Sequence, residues 1–370
     1  MVSRNENELN FGGNPLDAAL QATNEWPEDG KETVNCCPVC GGKERSVVHA
    51  SLADRIFFCA PGVWILHRCD ACGCGYVDPR PTPSAIGLAY AEYYTHILDK
   101  KEVFLSDTSP LGKRFIPMRN GYLNARFPRL GMFPSNPLGS LIMKLFPATR
   151  ALAERDVRHL PAPTDGAKLL DIGCGSGAFV RRAISLGYLA EGLEFDAAAV
   201  AAAANEGIPV KQGSLPDTGL PTANFDVVML SQVIEHLHDP MAALREIHRL
   251  LKPGGFFWLA TPNMDAPGHV HFGADWRGLE PPRHLVLFSP KALNLALEQA
   301  GFVGVEFKPP GAVSHWFYRA SHRISMNQKP EADISLPSGL TKLARREDRL
   351  SLRNPVVGEE LVVVARKPEI

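Results

Sequence analysis

Two pairs of thiols stand out in the first quarter of the chain: "CPVC" at Cys37 to Cys40 and "CDAC" at Cys69 to Cys72, separated by 28 residues. Paired CxxC hooks at this spacing suit a tetrahedral ion held by four thiolates, as in a zinc ribbon. The ligands would be Cys37, Cys40, Cys69 and Cys72, and Gly41 and Gly73 just past each pair relieve the tight turns. A dithiol redox site needs one CxxC at a helix start, so two hooks at ribbon spacing favour metal. Cys36, Cys59 and Cys74 are spare, and Cys36 or Cys74 could replace a neighbour as ligand.

About a hundred residues later the chain reads "LLDIGCGSGAFV". A strand followed by Gly173, Gly175 and Gly177 at a helix start lets a ligand approach the backbone. No Lys-Ser or Lys-Thr follows, which excludes a P-loop. Read loosely, Gly173, Gly175 and Ala178 match the dinucleotide pattern, with Glu194 near the distance of a ribose-holding acid. Asp171 inside the turn would repel a pyrophosphate, yet it suits a cofactor that bears an ammonium and a sulfonium and no phosphate. That favours S-adenosylmethionine.

"LLDIGCGSG", "GLEFD", "NFDVVMLSQVIEHLHDP" and "LLKPGGFFWLATPN", in this order and spacing, resemble the class I S-adenosylmethionine-dependent methyltransferases. The resemblance implies that Asp171 and the turn residues Gly173, Cys174, Gly175 and Gly177 hold the methionine end, and that Glu194 accepts from the ribose hydroxyls. Phe195 would stack on adenine, Ser214 and Leu215 would edge that ring, and Ser231 and Gln232 would face the transferred methyl. A Ser at 214 stands where the family often has an acid. Two histidines are candidates for the chemistry: His236 in "IEHLHDP" and His284 in "FGADWRGLEPPRHLVLFS". Methyl transfer to a hydroxyl or activated carbon needs a proton acceptor, and an imidazole titrating near neutrality suits that task. Trp276 and Arg283 are candidates to stack against and hold the acceptor. His269 and His271 read as loop histidines.

The elements that must position these residues follow from pattern. The chain has 370 residues, is 45% hydrophobic and carries a net charge of -1, enough to bury a large core in two domains or one with appendages. Residues 1–35 are polar and acidic and read as a disordered tail. Residues 36–82 form the zinc-ribbon module, and 83–160 a helical connector, with helical spacing broken by "FPRLGMFPSNP". From 161 to 370 strands and helices alternate. Predicted strands fall at 168–173, 190–195, 210–213, 225–231, 256–262, 303–309 and 359–366. This pattern predicts an α/β fold, a Rossmann-like seven-stranded methyltransferase sheet, with the region 310–357 as an insertion over the acceptor.

The hooks are not flanked by a cationic surface. Between 36 and 80, Lys43, Arg45, Arg55, Arg68 and Arg80 face Glu44, Asp54, Asp70 and Asp78, a net of +1, which is poor for phosphate binding. "HRCDACGCGYVDPRPTPSAIGLAY" instead resembles the N-terminal zinc module of bacterial methyltransferases acting on sugars, including carbon methyltransferases of deoxysugars. The expected acceptor is therefore a small polar molecule of sugar type, methylated on oxygen or carbon. No nucleic-acid or membrane partner is expected, and with no leader or membrane span in the sequence the expected location is cytoplasmic. An RNA methyltransferase with a zinc module and a non-catalytic cofactor-fold scaffold are the alternatives.

Overall fold

The structure, a computed structural model, describes residues 25–90, 110–328 and 334–369. The first part of the expected tail and residues 91–109 of the expected connector lie outside the described residues. In chain order the strands are β1 (Lys31–Glu32), β2 (Arg45–Leu52), β3 (Trp64–Cys69), β4 (Gly75–Val77), β5 (Arg80–Pro81), β6 (Lys168–Ile172), β7 (Leu189–Glu194), β8 (Val210–Gln212), β9 (Phe225–Ser231), β10 (Leu251–Pro262), β11 (Val286–Leu287), β12 (Val303–Lys308) and β13 (Glu360–Arg366). The helices are α1 (Pro110–Arg126), α2 (Gly139–Leu145), α3 (Pro147–Asp156), α4 (Ala178–Leu186), α5 (Ala197–Asn205), α6 (Pro240–Leu250), α7 (Pro267–Phe272), α8 (Pro290–Gln299), α9 (Ser314–Ser325) and α10 (Ser338–Ser351).

All seven strands read from the sequence pair into one sheet of order β12-β13-β10-β9-β6-β7-β8. β13 runs antiparallel between β10 and β12, and the remaining pairs are parallel. The central strands are apolar without alternation, as in β9, because helices cover both faces. α6 illustrates the local logic. Asp239 caps it by accepting from the Ala242 amide (2.7 Å), Pro240 opens it, and Ala243, Leu244, Ile247 and Leu250 form the stripe that faces the sheet. The chain passes from β6 to β7 on one side and to β9 on the other. This reversal opens a crevice at the carboxyl ends of β6 and β9, the usual ligand position in such sheets.

The cysteine segment does not form a separate body. β2, β3 and β4 make a small sheet whose fourth strand is β11, from the far side of the chain, with Val286 opposite Tyr76 and Leu287 opposite Gly75. Cys37, Cys69, Cys72 and Cys74 share a buried cluster with Leu285, Val286, Phe288 and Leu293. The boundary expected near residue 82 is therefore bridged by a strand from the half that holds the seven-stranded sheet.

The tail reading also changes at its end. Trp26 is buried edge-on against Trp64 (ring centroids 5.2 Å) and Val34 donates to Asp78 Oδ1 (2.7 Å). β1 pairs with β5. Residues 25–35 thus belong to the module, because two large apolar side chains outweigh the polar composition of their window. No helix of the described residues is long and apolar enough to cross a membrane.

Candidate active site

Gly173, Gly175 and Gly177 all adopt positive φ (68°, 55° and 81°), so the turn after β6 presents backbone where side chains would block it. At Gly173 an added Cβ would also lie 2.3 Å from Val233 Cγ2. Asp171 sits buried at the end of β6, where burial pushes its carboxyl above the usual range while Arg158 opposes the shift. Arg158 Nη1 lies 3.4 Å from Asp171 Oδ1, and its guanidinium stacks 3.8 Å over Phe179. Glu194, at the end of β7, accepts the Gly175 amide on Oε2 (2.8 Å) and the Phe195 and Asp196 amides on Oε1 (3.0 and 3.1 Å). Two carboxylates flanking a glycine turn, with no lysine among the turn residues, form a donor set fitted to a cationic, hydroxyl-bearing ligand. Oε2 of Glu194 keeps an acceptor position for a hydroxyl. Phe195 is exposed beside Tyr90 (6.2 Å) and available for stacking. Ser214 is exposed and Leu215 half-buried past the end of β8, away from the cavity described next.

Beyond β9 and β10 opens a cavity of about 730 Å³. Ser231 and Gln232 stand at its floor, with Gln232 in the left-handed region (φ 55°) and its amide donating to Glu360 Oε2 (3.1 Å). Phe179, Trp258, Trp316 and Phe317 supply aromatic walls, and Arg158, Arg277 and Glu280 supply charge. Val313, Trp316 and Phe317 come from the insertion at 310–357.

Both candidate histidines line this cavity, with ring centroids 4.7 Å apart. His284 Nδ1 donates to the Gly278 carbonyl (2.7 Å) and His236 Nδ1 to that of Arg283 (3.0 Å), where Tyr90 Oη also approaches (3.0 Å). A carbonyl only accepts, so Nδ1 carries the proton on each ring and Nε2 keeps the lone pair. Burial lowers both, His284 to about 3. The sequence pattern suggests an imidazole titrating near neutrality; burial instead lowers it, and Glu280 only partly opposes the shift. His284 Nε2 faces Glu280 Oε2 at 3.7 Å. Burial opposes ionisation of Glu280, but Arg277 outweighs it and keeps the carboxyl well below its ordinary value. Glu235, fully buried next to His236, has its carboxyl pushed up to about 8 by burial; Thr261 Oγ1 donates to its Oε2 (3.0 Å).

The four hook thiols converge. Cys37 Sγ lies 3.6 Å from Cys72 Sγ and Cys40 Sγ 3.5 Å from Cys69 Sγ, with all four ligand atoms within 4.8 Å of one another. Four sulfurs around a metal at about 2.3 Å would sit about 3.8 Å apart, so the cluster is of the size to hold one. Each hook is the same turn: Gly41 N bonds back to Cys37 O and Gly73 N to Cys69 O, both at 2.9 Å. Cys36 is exposed, whereas Cys74 is buried, turns its thiol to the Gly75 carbonyl and also lies against the Cys37 and Cys72 thiols; the four that converge are those of the two hooks.

A family profile described as a methyltransferase domain matches residues 145–306. A ubiquinone biosynthesis O-methyltransferase of Brucella anthropi is 30% identical over 168 residues, 41% of this chain and 68% of the relative. The chain belongs to the class I S-adenosylmethionine-dependent methyltransferases. A probable S-adenosylmethionine-dependent methyltransferase of Mycolicibacterium smegmatis is 34% identical over 139 residues, 37% of this chain and 52% of the relative. A solved methyltransferase of Archaeoglobus fulgidus aligns at 19% identity and TM-score 0.40, over 60% of this chain and 94% of its own. The chain spans about half the length of most curated relatives it matches.

In this chain two residues expected to contact an acceptor are instead structural. Trp276 is buried, stacked on His269 (5.0 Å), and donates Nε1 to Glu359 Oε2 (2.7 Å). Arg283 is fully buried, donating to both oxygens of Asp54 (2.6 and 3.1 Å) and to Glu280 Oε1 (3.1 Å). Each is large and carries a donor that a carboxylate inside the fold satisfies. His269 and His271 lie on α7, where His269 Nε2 meets His49 Nε2 (2.9 Å) and His271 stacks on Tyr318 (5.9 Å). Arg158, Arg277 and Trp316 were not read from the sequence. Arg158 sits in "ERDVRHLPAP", which reads as helix; α3 ends at Asp156, and Arg158 and His159 turn left-handed (φ 48° and 52°), swinging the guanidinium onto Asp171.

Proposed function

We propose that the protein transfers a methyl group from S-adenosylmethionine to a hydroxyl of a small acceptor bound between Trp316, Arg277 and the two cavity histidines. The observation that carries this reading is the pair of Nε2 lone pairs on His236 and His284 at the wall of the cavity whose floor is Ser231 and Gln232. The cofactor supplies an electrophilic methyl. Asp171 and the glycine turn bind its amino-acid end, Glu194 its ribose and Phe195 its adenine. His284 takes the hydroxyl proton as oxygen attacks; burial disfavours the imidazolium that forms, and Glu280 at 3.7 Å offsets that cost by stabilising the charge on the ring. A zinc ion held by Cys37, Cys40, Cys69 and Cys72 would be structural, since four thiolates would leave it no open position for chemistry.

A sugar or sugar nucleotide is the first acceptor proposed, on the resemblance of the thiol module and the stacking face of Trp316. An aromatic hydroxyl is the second, favoured by the four aromatic walls and by relatives named for ubiquinone biosynthesis. Incubation of a metabolite extract with the enzyme and methyl-labelled cofactor, read by mass spectrometry, tests both. Label on a sugar supports the first and label on a phenol or quinol the second. Label only in RNA, or full turnover by His284→Ala, would overturn the assignment of acceptor or base.

A further inference from the structure

The net charge of -1 conceals a strong local imbalance. From Pro110 to Ala153 the sequence contains Lys113, Arg114, Arg119, Arg126, Arg129, Lys144 and Arg150 and no Asp or Glu. This stretch folds into α1, α2 and the first turns of α3. It also carries the densest group of exposed large apolar side chains among the described residues: Phe133, Leu138, Leu141, Leu145 and Phe146 are 43% to 92% exposed. Leu138, Leu141 and Leu145 stand three and four residues apart and so share one side of α2, while Met143 on the other side is fully buried. The buried side anchors the helix and the exposed side is turned outward. Soluble surfaces rarely gather such residues without a partner.

The charge around the patch decides among partners. Arg126 is used inside the fold, on Glu154 and on the Leu160 carbonyl (2.7 Å). Arg129, Lys144 and Arg150 are exposed and flank the leucines in sequence. An aliphatic stripe with basic side chains before and after it in sequence, in a stretch from 110 to 153 that has no acid, is the pattern of a helix lying in the headgroup region of an anionic bilayer. RNA would require more phosphate-reaching cations and planar stacking faces than leucines. We infer that α2 and the loop before it dock the protein on an anionic lipid surface, through an aliphatic stripe flanked by basic side chains. α3 continues from this face into the cavity, with Leu152 exposed and Arg155 and Asp156 in the cavity wall. Docking here would bring the acceptor site to the membrane whatever the acceptor is, so the inference does not depend on the proposed chemistry.

Flotation of the whole protein with vesicles of three parts phosphatidylcholine to one part phosphatidylglycerol tests the proposal. Wild-type protein should float with these vesicles at low salt, weakly at high salt, and little with pure phosphatidylcholine. Leu141→Glu combined with Leu145→Glu should lower the partition at least roughly tenfold, and Lys144→Ala roughly fivefold. Both variants should keep the melting temperature and the calorimetric affinity for S-adenosylmethionine, since the replaced side chains are exposed. Failure of the wild type to float, or equal flotation of the leucine variant, would overturn the inference. So would a solution dimer that the leucine variant dissolves, or RNA binding that it abolishes, each of which would assign the face to another partner.

Discussion

Removing Arg283 measures how tightly the thiol module is tied to the wall of the cavity. Its guanidinium is fully buried, donates to both oxygens of Asp54 in the β2–β3 connection and to Glu280 beside the cavity, and lies 4.4 Å over Phe57. Asp54 in turn accepts the amides of Ile56, Phe57, Cys59 and Ala60 and so shapes that loop. Arg283→Met keeps most of the volume but leaves two buried carboxylates short of a partner, at a cost of about 3–5 kcal/mol. With an unfolding entropy of about 2.1 cal/mol/K per residue, a chain of this length should lose about 4–6 °C in Tm. The pH dependence has a definite sign. Burial raises the Asp54 carboxyl, but the Arg283 contacts outweigh it and leave it below its ordinary value. The ion pair therefore contributes fully above the unfolded carboxylate pKa and is lost as pH falls through the lower folded value. The gap between wild type and variant, followed by calorimetry and urea unfolding, should be full at neutral pH and close in acid. Combining Asp54→Asn with Arg283→Met should cost less than the sum of the two. Strict additivity, or a Tm within about 1 °C of wild type, would refute the coupling.

Cys37→Ser with Cys72→Ser should abolish a bound equivalent of zinc, measured by elemental analysis, and lower Tm, because the hooks share a buried cluster with β11. Gly173→Ala should weaken S-adenosylmethionine binding at least roughly tenfold by calorimetry, since its φ of 68° and the approach of Val233 to 2.3 Å leave no room for a methyl. Glu235→Gln should alter the pH profile of stability. With the folded carboxyl near 8 against an ordinary 4.5, the wild-type fold binds a proton that the unfolded chain has released. Its stability should fall between those values by on the order of 4 kcal/mol. The Gln variant should lose that part of the slope and keep the part that Glu154, Glu359 and Glu360 contribute, since burial raises their carboxyls too; an unchanged slope in urea titrations would exclude Glu235 as a source.

The seven sheet strands and the glycine turn were legible because their signals are local: apolar runs bounded by glycine, and hooks with fixed spacing. The fate of Arg283 and Trp276 was not, because a polar side chain near a pocket in sequence reads the same whether it faces ligand or a buried carboxylate. Asp54 is 229 residues from Arg283, and no local pattern reports that pairing. β11 is only two residues long, too short for period or propensity to register, and was found through its partner β4. Arg158 was hidden by two non-glycine residues in left-handed backbone, a conformation that side-chain chemistry does not advertise. His284 was placed over the acceptor side by topology, whereas its drop to about 3 depends on burial that only packing reveals.

β13 enters the sheet last in sequence yet sits inside it, hydrogen-bonded to β10 on one side and β12 on the other. A growing chain that has released β12 but not residues 360–366 therefore carries two unsatisfied strand edges, one of them on the long apolar β10. Such edges are templates for pairing with other chains. Through the interval between synthesis of Lys308 and of Arg366, which includes α9 and α10, both edges stay unpaired. A stalled ribosome in that interval would release a product lacking both the closing strand and Glu360 in the cavity wall.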